Sequence, residues 1–206
     1  MPTPPTVTLR RGSARAAVVM PRLDFRSGDP LGEAARLLER HAVCGFIVFG
    51  GDGCSVAEAV RTLSSLAARE LLFAVDAERG VGQTVDGCAV LPSAMSLGAA
   101  RSKRLARAQA EITAGEMCAL GLNVLFAPVL DLNTCPANPI INTRSFGDDP
   151  RLAGALGAAY VEGAQRAGVA ATAKHFPGHG AVASNSHAEL PVDPRGREEI
   201  ETLDVV

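Results

Sequence analysis

The stretch VAATAKHFPGHGAVASNSH, residues 169–187, begins as a short apolar run of strand character and ends in a glycine-rich segment that holds three of the chain's four histidines. Its first half is one of five similar runs. ARAAVVMPRL (14–23), GFIVFG (45–50), LLFAVD (71–76) and NVLFAPVLD (123–131) come before VAATAKHF (169–176), and longer segments of helical period separate them. Short β-rich runs alternating with helical segments are the pattern of βα units around a parallel sheet. Strands this continuously apolar have both faces covered, which leaves two architectures, a (β/α) barrel and an open doubly wound sheet. Barrel chemistry collects at the C-terminal ends of strands, and Arg22, Asp76, Asp131, Lys174 and His175 each fall at or just after such an end. A Rossmann sheet would carry G-x-G-x-x-G after its first strand, and PRLDFRSGDP (21–30) has none. GGDG (50–53) lacks the Lys-Ser/Thr of a phosphate loop and reads as a plain connection.

The helices carry readable start signals. Asp29 before Pro30 opens one and Asp149 before Pro150 opens another, while Ser55 with Glu58 reads as a capping box for the second helix. The segment Lys103 to Leu120 is followed by Gly121, suited to the position after a helix end. A (β/α)8 barrel has eight strands and about 250 residues. This chain supplies five strands and reaches EEIETLDVV (198–206) on the approach to a sixth. The expectation is an α/β, TIM-barrel-like domain truncated after about five βα units, with 1–206 forming one partial domain.

Composition narrows the function classes. The chain is 47% hydrophobic and 20% charged with a net charge of −2, so it has no basic footprint for nucleic acid or an anionic membrane. No stretch reaches the roughly 20 apolar residues of a membrane-spanning helix. The opening MPTPPTVTLRRGSARAAVVMPRL leads into strand-like sequence rather than a cleavage site, and a cytoplasmic location is expected. The five cysteines show no C-x-x-C pair, which predicts reduced, mostly buried thiols.

Three readings compete for the histidine segment. A metal site is disfavoured: Pro177 and Gly178 between His175 and His179 prevent the helix that would align both rings, Asn185 stands where a carboxylate ligand is expected, and Lys174 adds a positive charge. General acid–base catalysis fits better, because histidine titrates near neutrality and the small residues from Gly178 to Ser186 allow a loop to close over a ligand. A plain surface loop is the third.

KHFPGHG (174–180), with His187 seven residues on and ELPVD (189–193) after it, resembles the signature of family three glycoside hydrolases, in particular their bacterial β-N-acetylglucosaminidase branch. The likeness extends through LLFAVDAERG (71–80) and NVLFAPVLDLNTCPANPIINTRSFGDDP (123–150), and so over roughly residues 45 to 206. It implies a barrel and an exo-acting enzyme that removes a terminal β-linked N-acetylhexosamine, such as N-acetylglucosamine from cell-wall fragments, by a retaining mechanism with neither metal nor organic cofactor. It further implies that Asp76 accepts from sugar hydroxyls, that Arg144, Lys174 and His175 donate to the same sugar, and that His187 is the acid/base. The aspartate nucleophile of the family would lie beyond Val206, and Asp204 does not replace it. Asp131 and Asn133 are read as structural.

Two departures stand out. The branch reads D-S-H where this chain has Asn185-Ser186-His187, so the residue expected to orient His187 is an amide. The pattern E-G-G-R-V becomes ERGVGQ (78–83), with Arg79 in a glycine place and Val81 in place of the arginine. These departures keep two rivals in view: a β-glucosidase or other β-glycosidase on the same barrel, and an inactive remnant or sugar-binding fragment.

Overall fold

The computed structural model describes residues 18–205. Five parallel strands form its sheet: β1 (Arg22–Asp24), β2 (Gly45–Phe49), β3 (Leu72–Val75), β4 (Val124–Leu125) and β5 (Ala170–Ala171). Their spatial order is their sequence order. A doubly wound sheet reverses direction at a switch point; here each strand adds beside the last, which is the winding of a (β/α) barrel. The register aligns Leu23, Val48, Val75, Leu125 and Ala171 across all five strands. Partners in parallel strands point to the same face, so these residues make one apolar layer, of which the first four are buried.

Helices α1 (Pro30–Arg40), α2 (Gly53–Leu66), α3 (Ala94–Ala100), α4 (Lys103–Leu120), α5 (Pro150–Arg166) and α6 (Arg197–Leu203) fill the connections. Asp29 and Asp149 cap α1 and α5 as the sequence predicts, each followed by proline in the first turn. Gly121 ends α4 at φ 77°, a conformation that glycine reaches without steric cost. The capping box at Ser55 is corrected. α2 starts earlier, on Asp52, whose carboxylate accepts from the amides of Cys54 and Ser55 and from the Ser55 hydroxyl at 2.6 Å. An ionised acceptor at the positive end of the helix binds those amides more strongly than a serine hydroxyl. GGDG thus delivers a cap.

α2 buries Val56, Ala59, Val60 and Leu63, spaced to form one stripe facing the sheet. Phe46 and Phe73, on neighbouring strands, stack with ring centroids 6.3 Å apart in the same core. Burying a side chain of this size contributes roughly 1.5–3 kcal/mol. α4 and α5 pack closely because Gly163 faces the Arg107 carbonyl, where a Cβ would come within 2.6 Å.

Other expectations change in detail. Residues 14–17 of the first predicted strand lie outside the described residues. Arg22 begins β1 instead of following it, and Asp24 stands at its end. β4 and β5 are shorter than the apolar runs containing them, because side chains and irregular loops take over the pairing. Asn123 accepts from the Phe73 amide and donates to the Leu71 carbonyl, which extends β3–β4 by one residue. After β5 the chain stays beside the segment following β4 through the Leu130 amide, which donates to the Lys174 carbonyl at 2.6 Å. The cysteines are unpaired, but none is buried: Cys54 and Cys118 are exposed and the other three are half-buried. Among the described residues no helix is long and apolar enough to cross a membrane.

Candidate active site

Asp76 directly follows β3, and its carbonyl accepts from the Thr84 hydroxyl at 2.6 Å. Two residues on, Glu78 is held from behind by α4: Gln109 Nε2 donates to the carbonyls of Glu78 (3.4 Å) and Pro92 (3.1 Å). Arg144 ends a single turn at Asn142–Arg144. That turn is fixed by Asn138, whose Oδ1 accepts from the Ile140 and Ile141 amides while its Nδ2 donates to the His179 carbonyl. One side chain therefore ties the arginine loop to the histidine loop.

Charged groups from three separate segments meet here. Lys174 Nζ lies 2.7 Å from Asp76 Oδ1 and 2.8 Å from Glu78 Oε1. Arg144 forms a two-pronged pair with Glu78, Nε to Oε2 and Nη2 to Oε1, both at 2.8 Å. Burial pushes the Glu78 carboxyl upward, but the hydrogen bonds from Arg144 and Lys174 prevail and hold it below its ordinary value. The same bond to Glu78 raises Arg144. Two cations and two carboxylates leave this part of the cleft near neutrality, a setting suited to an uncharged polyhydroxylated ligand.

Asp131, with its side chain fully excluded from solvent, organises the histidine loop. It accepts from His175 Nδ1 at 2.5 Å, from the His175 amide at 3.2 Å and from the His179 amide at 2.6 Å. The structural role read for Asp131 is thus exerted on the site itself, whereas Asn133 joins the fold through its amide, which donates to the Gly147 carbonyl. With two amides already pointing at Asp131, the proton in the Nδ1 bond belongs to the imidazole. Nε2 then faces Arg144 Nη2 at 3.5 Å. A guanidinium can only donate, so His175 presents an acceptor here.

Asp76, Arg144, Lys174, His175 and His187 all line one cleft of about 440 Å³. The site residues inferred from sequence are therefore brought together, with the exception of Asn185. Its Oδ1 accepts from the His187 backbone amide at 2.9 Å, so the amide shapes the turn and leaves the imidazole unoriented. The loop bearing His187 is exposed between two anchored feet. Asp131 and the close packing of Gly180 on the Leu132 carbonyl hold one end. Arg195, paired with Asp193 and Asp204 at 2.7 Å each, holds the other. Asp204 is committed to this brace.

Glu78, Gln109 and Asn138 are absent from the sequence-based site. For Glu78 a signal existed, since DAE places a second carboxylate two residues after Asp76. Gln109 and Asn138 act across 31 and 41 positions, and nothing local marks them. In ERGVGQ, Val81 is fully buried and Arg79 points outward. Among the described residues, no group of three His, Cys, Asp or Glu side chains is gathered as a metal site would require.

A partial parallel barrel with a polar cleft at the C-terminal ends of its strands defines a (β/α)-barrel protein with its site on the face that this fold uses for chemistry. The chain belongs to the glycosyl hydrolase family 3 N-terminal domain family, whose profile it matches over residues 18–206. A β-hexosaminidase of Xylella fastidiosa is 38% identical over 179 residues, which make up 82% of this chain and 53% of that protein. The solved structure of a glycoside hydrolase family 3 β-N-acetylglucosaminidase from a Paenibacillus species superposes with a TM-score of 0.87 at 38% identity, covering 96% of this chain and 39% of that one. NagZ from Neisseria gonorrhoeae, solved in complex with N-trifluoroacetyl-D-glucosamine, gives 0.81 at 31% identity, covering 91% and 58%. The chain spans about half the length of the curated relatives it matches.

Proposed function

We propose that this protein is a retaining glycoside hydrolase that releases a terminal β-linked N-acetylhexosamine, N-acetylglucosamine foremost, from cell-wall fragments in the cytoplasm. The observation that carries the reading is the cleft that Asp76, Arg144, Lys174 and His175 line together with His187. Asp76 keeps Oδ2 for a sugar hydroxyl, and Lys174 and Arg144 each retain an N–H beyond those spent on protein acceptors. Mixed donors and charged acceptors are what a neutral sugar requires.

His187, on the exposed loop, gives its proton to the leaving oxygen and afterwards takes one from the water that releases the sugar. Retention also requires a carboxylate that attacks the anomeric carbon. The carboxylates of Asp76, Glu78 and Asp131 are already engaged by Lys174, Arg144 and His175. By the family resemblance, the nucleophile is an aspartate outside the described residues.

The test is His187→Ala in the intact protein, with p-nitrophenyl and alkyl β-N-acetylglucosaminides compared. Turnover of the alkyl substrate, whose leaving oxygen needs the proton, should fall far more than that of the aryl one. Equal losses would sink the acid/base role, and faster cleavage of aryl β-glucosides by the unmodified protein would move the glycone to glucose. Asn185 favours a second reading, a sugar-binding protein without turnover, because an amide supplies no charge to stabilise an imidazolium.

A further inference from the structure

We propose that Glu78 is the positioning residue of the sugar clamp: it holds the Arg144 guanidinium and the Lys174 ammonium side by side so that their remaining N–H groups serve one ligand. The inference rests on the glycosidase reading above. One oxygen, Glu78 Oε1, accepts from both Arg144 Nη2 and Lys174 Nζ, each at 2.8 Å. The two cations can therefore lie no farther apart than twice that distance, and without a shared counter-charge they repel.

The division of labour between the two carboxylates follows from their surroundings. Asp76 has a side chain 41% exposed, contacts Lys174 through Oδ1, and keeps Oδ2 for a ligand. Glu78 is only 9% exposed and spends both oxygens on protein cations. It sits behind the clamp. Its own place is set by Gln109 of α4, so the support runs from a core helix through a backbone carbonyl and a carboxylate to two cations.

Donor counting shows what this arrangement leaves for a sugar. Arg144 has five N–H groups; Nε and one Nη2 hydrogen go to Glu78, one Nη1 hydrogen goes to the Ile140 carbonyl, the second Nη2 hydrogen faces His175 Nε2, and one Nη1 hydrogen remains. Lys174 has three, of which Asp76 and Glu78 take two. Glu78 orients the used donors and thereby fixes the free ones. Two-pronged pairing suits this task because it restrains the rotation of a planar guanidinium.

The experiment is Glu78→Gln in the intact protein, read by crystal structure and by calorimetric titration with N-acetylglucosamine. The amide that replaces the carboxylate offers one acceptor oxygen and would turn an N–H₂ toward a cation, so Arg144 or Lys174 should leave its place. Affinity should fall about tenfold or more, with KM for the p-nitrophenyl substrate rising more than kcat falls. In an Arg144→Ala background the same change should cost much less, since a residue acting through Arg144 has little left to act on. Glu78→Asp, which keeps the charge but is one methylene shorter, should fall between and carries the test if the glutamine variant does not fold. Unmoved Arg144 and Lys174 side chains, or unchanged affinity after they move, would overturn the inference and leave the glycosidase reading standing. Failure of the unmodified protein to bind N-acetylglucosamine or glucose would remove both.

Discussion

Asp131, from the segment after β4, accepts the Nδ1 proton of His175, from the segment after β5, at 2.5 Å while its other oxygen accepts from the His179 amide at 2.6 Å. A carboxylate with a fully buried side chain thus holds a cleft-lining imidazole and the path of the loop that follows it. Asp131→Asn should lower kcat/KM by roughly 10- to 100-fold, because three donors lose an ionised acceptor and the new amide hydrogens face one of them. Steady-state kinetics together with a thermal melt check this; unchanged values in both would show the contact to be idle.

Asn185 meets the backbone of His187 and leaves its ring alone. Asn185→Asp keeps that contact, since a carboxylate oxygen accepts from the same amide, and adds a negative charge beside the imidazole. In the serine-protease triad, removing the equivalent charge costs about 10⁴ in kcat, which bounds the gain available here. Turnover of alkyl β-N-acetylglucosaminides should rise by about tenfold or more within that bound. No gain would mean that Asn185 is not what limits the acid/base step.

Glu78 is held below its ordinary value in the folded chain. Its ionised form therefore stabilises the fold fully above the unfolded glutamate value near about 4.3, and that contribution is lost as pH falls through the lower folded value. The difference in melting temperature between the unmodified protein and Glu78→Gln should be steady from about pH 7 to about pH 5 and shrink below about pH 4. A difference independent of pH down to about 3 would contradict the ionised pairing with Arg144 and Lys174.

Asp52, immediately after the glycine pair Gly50-Gly51, is the cap of α2. Asp52→Ala should cost about 0.5–2 kcal/mol, whereas Ser55→Ala removes only a hydroxyl that donates to the cap and should cost less. Chemical denaturation of both variants decides the assignment, and a larger loss at Ser55 would restore the capping box.

Much of the fold could be read along the chain. Asp29-Pro30 and Asp149-Pro150 open helices because a carboxylate cap and a proline first turn are local chemistry, complete within a few residues. The apolar runs at 45–49 and 72–75 became strands for the same kind of reason. KHFPGHG carried enough specific residues to point to a family and, through it, to Asp76, Arg144, Lys174, His175 and His187.

What the sequence by itself determined is the alternation of strands and helices, the starts of the helices, and a histidine segment set after a strand, all expressed within short windows. Tertiary structure alone decided the rest. The choice between barrel winding and a doubly wound sheet depends on the order in which strands pair, and that order is written in contacts between distant segments. The acceptor face of His175 depends on Asp131, 44 positions away, and the place of Glu78 depends on Gln109 behind it and on Arg144, 66 positions away. Charges and hydrogen bonds act through space, so residues far apart along the chain become one site only when the sheet brings the ends of their strands together.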